Sequence, residues 1–597
     1  MSVAAGEKRI KGGSFLIESR SPAEIFTPED LTDQHKLIAK TASEFVENEI
    51  VPAVKDIEEK KPGLLRELLK KAAELGLCAI DVPQKFGGLE LDKVSSILVA
   101  EKMARNGSWA AAMGAQAGIG ILPIAFFGTE AQKQKYLSRL ASAELVGAYC
   151  LSEATSASDA MNCKAKATLN SDGKHYSLNG TKMWITNGGI ADVYVVFAKV
   201  DGEKFTAFIV ERAFEGVSPG AEEHKMGLRG SSTTPLNLEN VQVPVENVLG
   251  EIGKGHHIAF NILNVGRLKL GAGCVGGAKY MLVDTLRWAS QREAFGKKIA
   301  DFGMIKEKFG DMVARTYACE SISYRTTGMI ERLLEGISPG SEEAPRQIMA
   351  ALQEYAVECS VLKVLGTEML HHLADECVQI LGGYGYSSDY EIERGFRDQR
   401  VNRIFEGTNE INRLLITDML MKRSMKGELA LIPAAQKLLD EVLGMGGEEG
   451  GEEGPLAEEV LLVESAKKAA LLVAGSAVQR YMQALANEQE VIGVMSNLVM
   501  EVYAMESALL RTLKKIAASS EAACATECDV AKIYIYDALD RMELDARRAL
   551  ARIAEGDMLR TQLSMLRRFL KRTPADTIEL KRRVADRALE LGRYPFS

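Results

Sequence analysis

The spacing of apolar residues changes twice along this chain, and these changes constrain the fold more than any other feature of the sequence. Up to about residue 148 the apolar residues recur at helical spacing, and that period returns after about residue 255, for example at Leu282, Leu286 and Ala289. Between these points lie β-rich runs, such as those at 193–197 and 205–210. We therefore predict a mostly α-helical protein with a central β domain of about 100 residues.

Local signals set the expected domain boundaries. Thr27-Pro28-Glu29-Asp30 is typical of a helix start, because a hydroxyl caps the first turn and the acids face the positive end of the helix dipole. Asn179-Gly180 predicts a hairpin turn, and the acidic, glycine-rich run 444–455 favours a solvated linker. The expected units are a flexible arm at 1–25, a helical domain at 26–148, a β barrel or sandwich at 149–254, a helical bundle at 255–426, a linker at 427–455 and a helical extension at 456–597.

Composition argues against several classes of protein. A net charge of −9 is unlike the basic surface of a nucleic-acid-binding protein, so no nucleic-acid partner is expected. The nine cysteines are scattered without a C-x-x-C pair, which indicates buried thiols in a reducing compartment. Cys524 and Cys528 have no histidine nearby, so no metal site is expected.

Targeting signals are weak in this sequence. No apolar segment follows the basic residues near the N-terminus, as it would in a signal peptide. No run reaches the ~18 uninterrupted apolar residues of a transmembrane helix. We expect a soluble, cytoplasmic protein without a transmembrane segment, with peripheral membrane association left open.

One glycine pattern matches a dinucleotide-binding motif without the structural context that the motif requires. Gly271-Ala-Gly273-Cys-Val-Gly276 fits the G-x-G-x-x-G fingerprint of dinucleotide-binding folds. That fingerprint requires a strand before it and the start of a helix after it, whereas this run lies inside a helical pattern. We interpret the small residues as sites of close helix packing.

Glu406 is a candidate base. It lies in Arg403-Ile-Phe-Glu406-Gly407-Thr408, shortly after the glycine-rich stretch 379–398. One interpretation is a surface acid that caps the next helix, which is the commoner role of a lone glutamate. The other is a partly desolvated carboxylate between Phe405 and Gly407, whose pKa rises and which becomes a better base.

Three further segments contain residues suited to binding. The run 149–159 is rich in hydroxyl groups, and by itself it is typical of a solvated turn. Trp184 and Thr186 lie two apart on a predicted strand and share a face, which by itself is more often used for packing than for holding an aromatic cofactor. The run from Arg292 to Phe295 ends at a glycine, which alone is typical of a helix C-terminus.

Taken together and in their order along the chain, the segments described above resemble the acyl-CoA dehydrogenase family over about residues 25–425. The runs 82–89 and 243–250 also look like elements of that family. Asn264-Val-Gly-Arg267 and the helical extension resemble its very-long-chain branch, whose plan many bacterial long-chain enzymes share. The stretch 379–398 fits the family's second signature at each fixed position, namely Gln379, Gly382, Gly383, Gly385, Asp389, Arg394 and Asp398.

This resemblance implies an FAD-dependent oxidoreductase that converts acyl-CoA to trans-2-enoyl-CoA in fatty acid β-oxidation. Glu406 matches the family's base, which removes the α-proton while a hydride leaves the β-carbon for flavin N5. Hydrogen bonds to the thioester carbonyl would stabilise the developing enolate. The resemblance also implies that electron-transferring flavoprotein accepts the electrons.

The resemblance also assigns binding roles to individual positions. Positions that match FAD contacts are Tyr149, Leu151, Ser152, Ser158, Trp184, Thr186, Thr408 and Glu410. Positions that match contacts across a subunit boundary to FAD are Arg292, Phe295, Gln379, Gly382 and Gly383, so a homodimer is expected. Positions that match acyl-CoA contacts are Ser158, Asn264, Arg267 and Gly407.

The loop 153–159 departs from the family pattern Glu-Pro-Gly-x-Gly-Ser-Asp, because the proline and both glycines are replaced. If either glycine position needs a positive φ, the replacement costs about 1 kcal/mol or more and the loop takes another path. Small residues within 111–118 predict a deep cavity and long-chain substrates. The alternatives are an acyl-CoA oxidase that reduces oxygen and a non-catalytic scaffold. The extension is expected to support the dimer.

Overall fold

The computed structural model describes residues 10–337, 341, 343–443 and 454–596. Buried apolar side chains form two core clusters. The larger cluster joins the helices after residue 255 to one face of a central sheet, and the smaller one lies between the other face and the first helices. The predicted fold class, mostly helical with a central β domain, is confirmed.

The first part of the chain is helical because capping residues and apolar spacing coincide. Thr32, Asp92, Asn106 and Thr129 each accept a hydrogen bond from a backbone N–H in the turn that follows. The helices are α1 (Asp33–Phe45), α2 (Val54–Glu58), α3 (Leu64–Glu74), α4 (Lys93–Lys102), α5 (Gly107–Gly114), α6 (Leu122–Phe127) and α7 (Glu130–Ala141), with π-helical stretches at Val46–Ile50 and Ala115–Gly120.

The β part forms a mixed sheet. Within the described residues its strands are β1 (Gly147–Cys150), β2 (Lys166–Leu169), β3 (His175–Thr186), β4 (Val193–Val200), β5 (Lys204–Glu211), β6 (Val217–Pro219), β7 (Thr233–Pro244) and β8 (Val248–Leu249). Their order is β6-β7-β3-β2-β4-β5-β8, and β1 pairs parallel to β4. Along β4, Val195 and Phe197 enter the larger core, whereas Tyr194 and Val196 enter the smaller one.

The predicted hairpin turn at Asn179-Gly180 is wrong, because β3 continues through it. Gly180 has φ +150°, and the register with β7 shifts between Leu178 and Gly180. A Cβ on Gly180 would lie 2.8 Å from the Cβ of Ala165. The glycine therefore permits a bulge and a close backbone approach.

A helical bundle follows the sheet. Its elements are α8 (Gly255–Gln291), the short strands β9 (Glu293–Ala294) and β10 (Lys297–Lys298), α9 (Gly303–Leu334), α10 (Ala344–Glu354), α11 (Ala356–Leu381), α12 (Gly383–Tyr386), α13 (Glu391–Gln399) and α14 (Asn409–Met425). A Cβ on Gly271 would lie 2.3 Å from Leu362 Cγ of α11, and one on Gly276 would lie 1.9 Å from the Glu101 carbonyl oxygen of α4. The predicted packing role of these glycines is confirmed.

The extension consists of long helices packed on the bundle. They are α15 (Leu431–Leu443), α16 (Ala457–Tyr481), α17 (Gln489–Ala518), α18 (Ala525–Ile553), α19 (Gly556–Phe569) and α20 (Thr577–Leu591). Because α15 buries Leu438 and packs against α16, the linker predicted at 427–455 is wrong for this helix. Residues 444–453, which carry most of the acidic run, lie outside the described residues.

Buried ion pairs join the extension to the bundle. Arg511 of α17 donates to Glu320 of α9 at 2.7 Å and to Glu29 at 2.8 Å. Lys279 of α8 pairs with the same Glu320 and with Glu101 of α4. Glu320 therefore pairs with a cation of the extension and with a cation of the bundle, which ties the two parts together.

The prediction of a flexible arm at 1–25 is wrong for residues 10–25; residues 1–9 lie outside the described residues. Ile10, Phe15 and Leu16 are buried in the larger core, with Phe15 4.6 Å from the ring of Tyr503. The Gly13 N–H also donates to the Glu358 carboxylate at 2.7 Å. A few well-placed apolar residues anchor the segment without a helical or strand period, so the pattern gave no sign of it.

By length and composition alone, the segment Gly107–Phe127 could cross a membrane. In the fold, 67% of its most apolar window is buried. Several of its small residues line a cavity beside α8, described below. Packing inside the protein therefore accounts for the apolar character of this segment.

Candidate active site

Glu406 lies in the short loop between α13 and α14, in an unusual backbone conformation. Its φ is +58°, and Gly407 beside it has φ +82°. A left-handed conformation costs a residue with a side chain roughly 1–2 kcal/mol, and it persists where surrounding contacts fix it. Here Asn412 donates to the carbonyl oxygens of Gly407 (2.8 Å) and Thr408 (3.0 Å), which closes the loop onto α14.

The carboxylate of Glu406 rests on a glycine of α8. A Cβ on Gly266 would lie 2.6 Å from Glu406 Oε2 and 2.8 Å from its Cδ. Within the described part of the chain, the buried Oε2 atom has no hydrogen-bond partner. A buried carboxylate oxygen without a hydrogen-bond partner is free to accept a proton from a molecule bound in the adjacent cavity, as a general base must.

The electrostatic surroundings place the proton affinity of Glu406 near neutrality. Burial raises the pKa of its carboxyl to about 7, while the positive charges of Arg267 and Lys363 oppose the rise. Burial also lowers the pKa of the Lys363 ammonium to about 8, so it carries its charge at neutral pH. Glu406 can therefore exchange a proton at pH 7.

The predicted substrate contacts Asn264 and Arg267 lie behind the base. Both are buried, and Arg267 Nη1 donates to Asn264 Oδ1 at 2.9 Å. Arg267 Nε donates to the Glu406 carbonyl oxygen at 3.1 Å. These two residues hold the backbone of the base; their contact with CoA stays a prediction.

A long cavity runs from Glu406 along α8. Its volume is about 260 Å³. The α8 residues that line it recur every three or four positions from Ile262 to Asp284, so the cavity follows one face of the helix. Small residues on α5 and the π-helical stretch form much of the opposite wall, namely Ala110, Ala111, Gly114, Ala115, Ala117 and Gly118.

The loop 153–159 closes without the glycines of the family pattern. Every residue in it has a negative φ, so the strain anticipated from the replacements does not arise. Glu153 and Ser156 exchange backbone hydrogen bonds of 2.8 and 3.2 Å. The buried Glu153 carboxylate also accepts from Lys182 at 2.7 Å. Ser158 is exposed on this loop.

The other predicted flavin contacts of the β part lie close by in the sequence and the sheet. Tyr149 and Leu151 are buried, and the Ser152 carbonyl accepts from the Met183 N–H at 2.9 Å. Trp184 has φ +61° at a register shift in β3, and 57% of its side chain is exposed. Thr186 lines the cavity. The bulge thus presents a large exposed indole two residues before the cavity-lining Thr186, which fits an aromatic cofactor.

The positions predicted to act across a subunit boundary share one exposed surface. Phe295 is 96% exposed in the turn between β9 and β10, with φ +53°. The Arg292 guanidinium lies 5.6 Å from the ring centre of Tyr384. This contact brings the turn next to the junction of α11 and α12, where Gln379, Gly382 and Gly383 are also exposed. Such an exposed aromatic and glycine-rich surface fits contact with a second chain.

The loop after Glu406 begins α14. Thr408 caps that helix by accepting from the Ile411 N–H at 3.2 Å, and Glu410 is exposed in its first turn. The sequence interpretation missed Gly266 and Lys363. Lys363 could have been found as a single cation inside the apolar run 361–365, whereas only the fold shows that Gly266 faces Glu406.

Comparison with known proteins decides the family. Family models described as the N-terminal, middle and C-terminal domains of acyl-CoA dehydrogenase match residues 32–144, 148–241 and 253–421, and a further C-terminal domain model matches 465–568. The chain belongs to the acyl-CoA dehydrogenase family. The predicted family, the enzyme class of FAD-dependent oxidoreductase and the helical C-terminal domain are thereby confirmed.

Individual relatives of the acyl-CoA dehydrogenase family agree. A "probable acyl-CoA dehydrogenase" of Bacillus subtilis is 49% identical over 98% of this chain and 98% of its own length. A crystal structure of an acyl-CoA dehydrogenase complexed with FAD from Bacillus anthracis is 48% identical, with a TM-score of 0.96 over 98% of this chain and 100% of that one.

More distant family members match about two thirds of the chain. The human very long-chain specific acyl-CoA dehydrogenase is 37% identical over 65% of this chain and 58% of its own length. The CarC subunit of the caffeyl-CoA reductase-Etf complex of Acetobacterium woodii is 34% identical over 66% of this chain and 99% of its own.

Proposed function

We propose that the protein oxidises long-chain acyl-CoA to trans-2-enoyl-CoA with Glu406 as the base. The observation that carries this proposal is the unpartnered Glu406 Oε2 atom at the end of a long apolar cavity. Its pKa of about 7 leaves a substantial ionised fraction at neutral pH, so the carboxylate can accept an α-proton. Arg267 and Lys363 stabilise the ionised form of the base before the reaction.

We propose that FAD binds beside this cavity. The exposed Trp184 indole and the cavity-lining Thr186 would hold its ring system. Tyr149, Leu151 and Ser152 back that position. The residues fit the group because the left-handed Trp184 exposes an apolar ring that is otherwise uncovered. When bound, FAD supplies the acceptor for the β-hydride.

We propose a homodimer, which the exposed surface around Phe295 supports. Phe295 and the junction of α11 and α12 at Gln379 to Gly383 are exposed, and with Arg292 they would complete the FAD site of the second subunit. An FAD site shared in this way makes the dimer the functional unit.

The cavity supports long acyl chains as substrates. From Gly266, next to the base, to Asp284 the lining face of α8 spans 18 residues, or about 27 Å at 1.5 Å per residue. Cβ atoms on Gly114 or Gly118 would meet no atom within 4 Å. The missing side chains leave room for substrate atoms.

The electron acceptor is proposed to be an electron-transferring flavoprotein. A relative similar in length to the catalytic part, CarC, is named as a subunit of an Etf complex. The oxidase alternative predicts hydrogen peroxide release on turnover, which a peroxide assay would detect. We also propose a cytoplasmic location, on composition alone.

The test is a visible spectrum of the purified protein followed by anaerobic titration with a C4 to C20 acyl-CoA series. We expect a yellow protein that bleaches, with the tightest and fastest response to long chains. Glu406→Gln should remain yellow and fail to bleach. Bleaching by the Glu406→Gln protein would exclude Glu406 as the base, and a C4 optimum would exclude long-chain specificity.

A further inference from the structure

The C-terminal extension contacts the first turns of α14, the helix that follows the base. Ser496 Oγ of α17 donates to the Arg413 carbonyl oxygen at 2.6 Å. Asn497 Oδ1 accepts from Arg413 Nε at 2.8 Å. Asn497 Nδ2 in turn donates to Asp545 Oδ2 of α18 at 2.8 Å. The amide of Asn497 is thus held in one orientation, because its oxygen accepts from Arg413 and its nitrogen donates to Asp545.

The hydrogen bonds continue inward from Arg413 to the loop of the base. Both terminal nitrogens of Arg413 donate to the Glu368 carboxylate, at 2.8 and 3.0 Å. Glu368 Oε1 also accepts from Asn409 Nδ2 at 3.0 Å. Lys363 Nζ donates to Asn409 Oδ1 at 2.7 Å and to the Gly407 carbonyl oxygen at 2.8 Å. The chain of contacts therefore ends one residue after Glu406.

We call this chain the Asn497 relay; it comprises Asp545, Asn497, Arg413, Glu368, Asn409 and Lys363. Its inner end is buried, since Lys363 and Asn409 are almost entirely inaccessible to water. Water cannot replace a lost hydrogen bond there, so each partner strongly constrains the next. The left-handed backbone at Glu406 and Gly407 is the kind of strained conformation that needs such support.

We propose that the Asn497 relay is a positioning device through which the C-terminal extension fixes the carboxylate of Glu406. Asn497 acts through its neighbours and touches neither substrate nor cofactor. This inference rests on the proposed role of Glu406 as the base. It gives the extension a part in the reaction, beyond its predicted support of a dimer.

The charged groups around Glu406 define a second readout. Arg267 reaches it from α8 and Lys363 from α11; burial raises the pKa of the Tyr149 phenol, and the nearby charge of Glu406 adds to that rise. Lys363 favours the ionised carboxylate, so displacing the ammonium raises the pKa of Glu406. A loosened relay should therefore move the pH profile of the reaction upward.

The experiment compares Asn497→Leu with two further variants of the FAD-loaded protein. In Asn497→Asp/Asp545→Asn, the acid at position 497 accepts from Arg413 as before and also accepts from the amide at position 545. Both hydrogen bonds are therefore restored, and only the bond between positions 497 and 545 has its donor and acceptor exchanged. Asp586→Leu is the matched control. It removes a contact of the extension with the bundle, the ion pair with Lys306 at 2.6 Å, far from α14 in the chain.

Flavin reduction by palmitoyl-CoA is measured by anaerobic stopped flow between pH 6 and 9, together with flavin content and thermal unfolding. For Asn497→Leu we expect a limiting rate about 10-fold lower, a midpoint shifted to higher pH and an unchanged palmitoyl-CoA dissociation constant, because a misplaced base slows the proton transfer and leaves binding intact. The double variant should recover most of the rate, and Asp586→Leu should retain it.

The relay is overturned if Asn497→Leu keeps the native rate and pH midpoint, or if Asp586→Leu slows reduction equally. It is also overturned if the double variant recovers nothing although it is folded and flavin-loaded. Glu406→Gln in parallel separates the two ideas. If Glu406→Gln does not bleach and Asn497→Leu behaves like the native protein, the relay is rejected and the base is retained. If Glu406→Gln bleaches, both the proposed base and the relay are rejected.

Discussion

The contact between Gly266 and Glu406 gives the sharpest test of the active site. Alanine at position 266 adds one methyl group, whose carbon would lie 2.6 Å from Glu406 Oε2. Ordinary contacts begin near 3.4 Å, so the carboxylate must retreat by about 0.8 Å. A displacement of about 1 Å can lower a rate on the order of 100-fold, or about 2.7 kcal/mol in the activation barrier.

The same substitution should leave the fold intact or slightly stabilised. Position 266 lies inside α8, where alanine is favoured over glycine by up to about 1 kcal/mol. The atoms in the way belong to the end of a flexible side chain, which can move without shifting the backbone. Gly266→Ala thus separates loss of activity from loss of stability.

The assay is anaerobic flavin reduction by palmitoyl-CoA in a stopped-flow instrument, with thermal unfolding measured on the same protein. Gly493→Ala in α17 is the control, because a Cβ added at this position would meet no atom within 4 Å. A Gly266→Ala protein that reduces its flavin at the native rate would refute the placement of the base. A protein that loses its flavin or unfolds at lower temperature would refute the predicted separation.

Three other outcomes are expected. The rate of flavin reduction should rise with pH through about 7, because only the ionised Glu406 accepts a proton and its pKa is raised to about that value. A rate that does not change between pH 5.5 and 8.5 under single-turnover conditions would contradict this. Gly114→Leu should shift the preferred substrate toward shorter chains, because the side chain fills open cavity space; an unchanged chain-length profile in the acyl-CoA series would contradict it. Arg511→Met should lower the free energy of unfolding by about 1–3 kcal/mol, because Glu29 and Glu320 each lose a charged hydrogen-bond partner while Glu320 keeps Lys279; an unchanged free energy of unfolding in urea denaturation would contradict this.

Much of the architecture could be predicted because local chemistry agrees with the fold. The change of apolar period near residues 148 and 255 corresponds to β1 starting at Gly147 and α8 starting at Gly255. The Gly271 to Gly276 run was recognised as a packing surface because the strand that a dinucleotide site requires was missing. The neighbours of Glu406 left two interpretations open and the family resemblance favoured the base; the fold adds the burial that raises its pKa.

What could not be predicted depends on contacts between distant residues. Residues 10–25 are ordered by partners such as Glu358 and Tyr503, and no local period records such contacts. The strain anticipated in the loop 153–159 was conditional on backbone angles that a sequence does not contain. Gly266 gains its meaning only when α8 and the loop of Glu406 are brought together.

The pairing of Glu29 with Arg511 has a consequence for synthesis on the ribosome. The two residues are 482 positions apart, so at about 5–20 residues per second Glu29 waits roughly 25–100 s for its partner to be made. Lys514 likewise reaches back to the Ile25 carbonyl oxygen at 2.7 Å. The segment from Ile25 to Glu29 therefore reaches these contacts only after α17 has been made. A nascent chain stalled before α17 lacks Arg511 and Lys514, so Glu29 and the Ile25 carbonyl oxygen stay without these partners until the extension is synthesised.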